Sequence, residues 1–168
     1  MQEPNRLSRC IFAPVLLTST EVTEYRRRFD SLYGKCSPHV TLVFPFASAV
    51  PDAVLADALE NIAQTRDALE VTLLAPELMD DCVVLPLANP SPWFRETHER
   101  LSVLAVARVS DQYRPHVTIG RDVSTKYWPE LRFPSLASGL HTRLDRIVLE
   151  EIQPDESSRI VYETRLRA

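Results

Sequence analysis

The chain reads as an α+β protein built from a duplicated unit, and three observations carry that reading. Short β-type runs alternate with amphipathic helical segments, with antiparallel-looking hairpins late in each half. The segment PHVTL at residues 38–42 returns almost unchanged as PHVTI at residues 115–119, so one unit recurs 77 residues further on. At 168 residues, 45% hydrophobic and 25% charged, the chain can bury a sizeable core without metals or disulfides. A single domain of two pseudo-symmetric lobes is expected over residues 1–168.

The elements follow in order. Arg9 to Leu17 (RCIFAPVLL) reads as a first strand. Ser19 and Thr20 can cap a helix over 21–33 with Val22, Tyr25, Phe29, Leu32 and Tyr33 as its apolar stripe, closed by Gly34. Arg26, Arg27 and Arg28 sit on that helix and are expected to be a solvated face. PHVTLVFPF is a strand, and VPDAVLADALENIAQT is a helix with Pro51 near its first turn. LEVTLLAPEL and CVVLPLA are strands joined by an acidic turn at Asp80–Asp81. Ser91-Pro92 opens a third helix, PHVTIGR is a strand, and STKYWPELRF is a short helix. RLDRIVLEEIQ and SRIVYETRLR form a closing hairpin around Pro154-Asp155.

Composition excludes several functions. Three glycines leave neither GxGxxG nor GxxxxGK[ST], so Rossmann and P-loop nucleotide binding are poor fits. Cys10, Cys36 and Cys82 form no CxxC, and no signal peptide or 18-residue apolar span is evident. The expectation is a reduced, cytoplasmic, monomeric protein whose cysteines pack. The net charge is −4: residues 1–84 carry 7 Lys/Arg against 12 Asp/Glu, and residues 85–168 carry 12 against 11. Gripping a long nucleic acid needs a clear basic surface, so a small anionic ligand or an oligonucleotide end is the better match. With four histidines and no HExxH or other ligand spacing, no metal site and no cofactor are expected.

The repeat carries the chemistry. Side chains alternate across a strand, so His39 and Thr41 share one face while Val40 and Leu42 share the other. The second copy places His116 and Thr118 opposite Val117 and Ile119 in the same way. A lone histidine on a strand is ordinarily structural. Two with matching neighbours, each just after a strand-opening proline, point to a site in which the halves face one another.

These motifs, His39-Val40-Thr41-Leu42 and His116-Val117-Thr118-Ile119, resemble the paired H-x-T/S-x motifs of the 2H phosphoesterase superfamily. That group includes the LigT-like 2′-5′ RNA ligases and RNA 2′,3′-cyclic phosphodiesterases. The resemblance extends to the order of elements over most of the chain. It implies two antiparallel β-sheets forming a central cleft flanked by helices, and hydrolysis of a 2′,3′-cyclic phosphate to a 2′-phosphomonoester. It assigns His39 as the proton donor to the leaving 3′ oxygen and His116 as the base that activates water.

The residue types suit that chemistry. Opening a cyclic phosphodiester needs a base on one side of phosphorus and an acid on the other. Two imidazoles, with reference pKa near 6.5, can fill both roles. The Thr41 and Thr118 hydroxyls can donate to non-bridging oxygens as charge develops.

Arg114 shares the His116/Thr118 face if the strand extends back through Pro115, and could contact phosphate or ribose. Arg121 falls on the other face by strict alternation, unless a bulge at Gly120 re-aims it. Tyr113, Phe12 and Phe46 could stack on a base, although the phenylalanines suit the core. His98 in ETHER reads as solvated. His141 in HTR is not a third motif, because Thr142 alternates away from it.

The partner is then an RNA terminus or a small cyclic nucleotide, with no membrane. The alternatives are a nucleotide-binding module of the same fold without turnover, and a metal-dependent hydrolase.

Overall fold

The computed structural model describes residues 8–123 and 139–168. Among them the elements are β1 (Ser8–Pro14), α1 (Thr20–Phe29), β2 (His39–Phe46), α2 (Asp52–Thr65), β3 (Leu69–Leu73) and β4 (Glu77–Met79). They continue with β5 (Cys82–Pro86), α3 (Trp93–Leu104), β6 (His116–Gly120), β7 (Leu140–Leu144), β8 (Arg146–Ile152) and β9 (Ser158–Arg165). The class is α+β with two antiparallel sheets, as expected. The larger has the order β4-β5-β6-β2-β1-β8-β9, and the smaller pairs β3 with β7.

Local chemistry sets several boundaries differently from the sequence expectation. Helix α1 starts where Ser19 accepts a hydrogen bond from the Val22 amide. It stops at Phe29 rather than Tyr33, because Asp30 turns extended and its carboxylate is taken by Arg26 and by the Leu32 amide. LEVTLLAPEL divides in two: its first half joins the small sheet, and its end forms the short β4–β5 hairpin. RLDRIVLEEIQ also divides, at Asp145, into the end of β7 and all of β8. The short helix expected over STKYWPELRF lies outside the described residues.

The main core packs on one face of the large sheet. Val40, Leu42, Val117 and Ile119 are fully buried there against Val22, Leu55, Leu59 and Leu101 from the helices. Each such side chain contributes roughly 1.5–3 kcal/mol through burial. On the opposite face a small cluster of Cys10, Phe12 and Val148 is buried beside the motif residues.

Two details of register position the site. Strands β2 and β6 are joined by the single pair Val40–Val117, whereas their outer neighbours pair over longer runs. The sheet is therefore narrowest between the two motifs. Each motif strand also carries an extra residue against its outer partner. In β2 the register passes from Val43–Ile11 to Thr41–Phe12, leaving Leu42 unpaired; in β6 it passes from Gly120–Val83 to Thr118–Val84, leaving Ile119 unpaired. Leu42 and Ile119 occupy the same position of the repeat, so both copies bulge at the same point.

Candidate active site

The antiparallel register about Val40–Val117 puts Thr118 across from His39 and His116 across from Thr41. All four fall on the face away from the main core, with burial intermediate where the intervening valines are fully buried. The histidines are diagonal neighbours, which stand roughly 7–8 Å apart in such a ladder, their Cβ atoms somewhat closer. The expectation that the halves bring the His/Thr pairs together is met by two adjacent strands of one sheet.

Both imidazoles are oriented in the same way. His39 Nδ1 lies 2.7 Å from the Ser37 carbonyl oxygen, and His116 Nδ1 lies 2.7 Å from the Arg114 carbonyl oxygen. A carbonyl only accepts, so Nδ1 carries the proton in each ring and Nε2 is left for other chemistry. His39 also packs on the Phe12 ring at 4.6 Å between centroids, and Cys36 Sγ stands 3.4 Å from its Nδ1. Phe12 therefore supports the His39 ring, while Phe46 packs in the main core, where Arg9 covers its ring.

Electrostatics lowers both histidine pKa values. Burial pushes His39 down to about 4; the Arg121 and Arg26 cations add to this, and the Ser37 carbonyl and Asp30 oppose it. Burial also lowers His116, with Arg114 and Arg121 adding. Burial raises the neighbouring Cys36 thiol to about 11, so it is not a thiolate at neutral pH.

Arg121 reaches this region because of the bulge at Ile119, which offsets the strict alternation that assigned it to the far face. Its Nη1 donates to Asp30 Oδ1 at 2.6 Å, and its amide donates to the Phe29 carbonyl at 3.0 Å. Gly120 permits this close approach: a Cβ there would stand 3.3 Å from Val83 Cβ and 3.5 Å from the Phe29 oxygen. Asp30 is fully buried between Arg121 and Arg26, and Arg26 also donates to the Cys36 carbonyl at 3.0 Å. Burial alone would raise the Asp30 pKa; the bonds from Arg121 and Arg26 and the Leu32 amide outweigh it and hold the group below the usual carboxylate range. One carboxylate thus ties Arg121, two residues past the second motif, to the segment that orients His39.

Four expectations change. Arg26 is buried in this network instead of belonging to a solvated face. Arg114 lends its carbonyl to His116, but its side chain is ion-paired with Glu77 and donates to Glu77 Oε2 at 3.2 Å. Tyr113 is buried: its ring stacks on His98 at 4.2 Å and its hydroxyl donates to the Thr41 carbonyl at 2.9 Å, so it has no free face for a base. His98 is fully buried, not solvated. Its Nε2 accepts from the Ser110 amide at 3.0 Å and its Nδ1 donates to the Leu42 carbonyl at 2.8 Å. That carbonyl belongs to the bulged residue, so His98 occupies an acceptor that the ladder leaves over.

Sequence reading missed Asp30, Arg26 and Cys36. The one available signal was the i,i+4 spacing of Arg26 and Asp30, which usually marks an exposed helix pair.

Two histidine–threonine pairs thus lie on adjacent strands on one face of the sheet, each histidine with its Nδ1 bonded to a backbone carbonyl. Residues 14–154 match the profile of the 2′-5′ RNA ligase superfamily, and the chain belongs to that family. It is 31% identical over 148 residues to a Geobacillus sp. (strain WCH70) protein carrying the name "Putative phosphoesterase", covering 84% of this chain and 85% of that one. The Geobacillus kaustophilus (strain HTA426) protein of similar name is 29% identical over 146 residues, covering 83% of this chain and 84% of that one. The fold is shared with the crystal structure of a phosphoesterase, at TM-score 0.68 and 16% identity, covering 98% of this chain and 100% of that one. It is also shared with Escherichia coli LigT, solved in complex with 3′-AMP, at TM-score 0.67 and 15% identity, covering 96% of this chain and 99% of that one.

Proposed function

We propose that this protein is a metal-independent phosphoesterase that opens a 2′,3′-cyclic phosphate, at an RNA end or on a small nucleotide, to a 2′-phosphomonoester. The observation that carries the reading is the matched orientation of His39 and His116. Each has Nδ1–H committed to a carbonyl, so each Nε2 is available for proton transfer on the same face.

In the proposed reaction, His116 Nε2 takes a proton from water as the water oxygen bonds to phosphorus. The bond from phosphorus to the 3′ oxygen breaks, and His39 supplies the proton that oxygen needs. Thr41, Thr118 and Arg121 bind the non-bridging oxygens as charge builds. Burial keeps His39 neutral in the free protein at neutral pH, so the bound phosphate must restore its proton. A negative charge beside the ring opposes the Arg121 and Arg26 fields and acts in that direction. The same geometry serves the reverse joining of 2′-5′ ends. The two halves are read as a duplicated unit forming one domain, and the protein as a cytoplasmic monomer.

The test is incubation with a nucleoside 2′,3′-cyclic phosphate in EDTA, with the product identified by chromatography. The expected outcome is a 2′-phosphate, with turnover lost in His39→Ala and in His116→Ala. Nucleotide binding without turnover would favour the binding-module reading. Turnover that EDTA abolishes would favour a metal-dependent hydrolase.

A further inference from the structure

The two copies of the repeat differ at the position three residues before each histidine, where the first has Cys36 and the second has Tyr113. Cys36 stays with its own motif, its Sγ 3.4 Å from His39 Nδ1. Tyr113 crosses to the other motif: its hydroxyl donates at 2.9 Å to the carbonyl of Thr41, 72 residues away along the chain. The next residue, Arg114, supplies the carbonyl that orients the His116 ring. Tyr113 is therefore bonded to the first motif and adjacent in the chain to the group that aims the second.

Both ends of this link are themselves held. The Tyr113 ring is buried, stacked on His98 at 4.2 Å with 6° between the planes, and edge-on to Phe44 at 6.4 Å. Its main chain is fixed from α3, where Arg95 donates to the Tyr113 carbonyl at 2.9 Å and His98 Nε2 accepts from the Ser110 amide. The link matters because β2 and β6 are joined by the single pair Val40–Val117. One ladder pair leaves two strands able to pivot about it, and a second attachment between them removes that freedom. A reactive constellation has to be held within about 0.5 Å of its working geometry, which falls to the groups that support it.

We infer, resting on the reading of the His/Thr face as a phosphoester site, that Tyr113 is a positioning residue that sets the geometry between the two motifs. It touches no substrate. Its hydroxyl acts through the Thr41 main chain, and its own main chain acts through the Arg114 carbonyl. In-line displacement asks the two imidazoles to meet one phosphorus from opposite sides, so drift between the motifs lowers turnover more than it lowers binding. A phenylalanine at this position keeps the buried ring and its stack on His98, so removing the hydroxyl separates positioning from core packing.

The experiment compares wild type, Tyr113→Phe, Arg95→Ala and Ile62→Ala, well below their thermal midpoints. Ile62→Ala truncates a buried side chain on α2, a helix that packs on β8 and β9, and serves as the control for lost stability alone. With a nucleoside 2′,3′-cyclic phosphate, Tyr113→Phe is expected to lower kcat by roughly 10- to 100-fold with KM within about threefold of wild type. Arg95 is exposed, so Arg95→Ala should fold even if Tyr113→Phe does not, and a smaller fall of kcat in the same direction is expected. The second readout is the ring-nitrogen NMR spectrum of His116, which needs no turnover. Wild type is expected to show a protonated Nδ1, and Tyr113→Phe a mixture of tautomers as the Arg114 carbonyl loosens. A kcat for Tyr113→Phe within about twofold of wild type, or a loss that Ile62→Ala reproduces, would overturn the inference. If the wild type turns over no cyclic phosphate, the proposed function fails and the nitrogen spectra alone decide. A His116 tautomer unchanged in both Tyr113→Phe and Arg95→Ala would then overturn the positioning role.

Discussion

Asp30, just past the end of α1, accepts a hydrogen bond at 2.6 Å from Arg121, 91 residues later at the end of β6. It is also bonded twice by Arg26, at 2.8 and 2.9 Å, and is fully buried. A carboxylate taken out of water is stable only when its oxygens are filled in this way. The arrangement couples two parts of the site: Arg121 is held beside the motif strands, and Arg26 anchors the Cys36 carbonyl one residue before Ser37.

Replacing Asp30 by Asn removes the charge and leaves two partly buried guanidinium groups without their counter-ion. Breaking a buried pair from one side costs on the order of 3–5 kcal/mol, so Asp30→Asn is expected to lower the urea midpoint strongly. Arg121→Lys keeps the charge but loses the planar fork, so it is expected to disturb phosphate affinity more than folding. Equal losses in the two variants, measured by urea unfolding and by binding of inorganic phosphate, would contradict this division.

His98 has an effect on stability without touching the motif side chains. His98→Phe keeps a ring stacked on Tyr113 but leaves the Leu42 carbonyl and the Ser110 amide unpaired. Each unsatisfied buried group costs about 1–3 kcal/mol, so a loss in that range or somewhat above it is expected in chemical denaturation. An unchanged midpoint would show that the bulged carbonyl is satisfied in another way.

The pH dependence follows from the sign of the histidine shifts. The folded-state pKa of His39 is lowered from 6.5 to about 4, so the fold favours the neutral ring. Its stabilising contribution is complete above pH 6.5 and is lost progressively as pH falls toward 4. His116 acts in the same direction. Denaturant midpoints measured across this window should fall with pH in the wild type and fall less steeply in His39→Ala. A parallel fall in both proteins would argue against the buried neutral His39.

Binding should show the linked effect. If phosphate restores the His39 proton, its affinity rises as pH is lowered from 8 toward 6, and His39→Ala flattens that rise. A wild-type affinity independent of pH over that range would remove His39 as the proton donor. Turnover should follow a bell-shaped profile with one limb for each histidine.

The class of fold and the two His/Thr pairs were legible in the sequence because they depend on short-range rules. Alternation along a strand puts His39 with Thr41, and His116 with Thr118, whatever the rest of the chain does. The recurrence of PHVT marks the pairs as related without any coordinates. Gly120 marked a place where β6 could bulge, but the bulge at Ile119 and its counterpart at Leu42 were not themselves legible, since an unpaired residue exists only relative to a partner strand. The position of Arg121 and the burial of His98 follow from those bulges. Asp30 was not singled out in the sequence, because an i,i+4 pair such as Arg26 and Asp30 is ordinarily exposed, and only the approach of β6 to α1 buries it. Tyr113 looked available to a base until the tertiary packing closed both His98 and the Thr41 carbonyl upon it. Local periodicity therefore determined which residues share the candidate face. Tertiary structure decided which residues hold them, because burial and strand register are properties of the assembled sheet and not of any one segment.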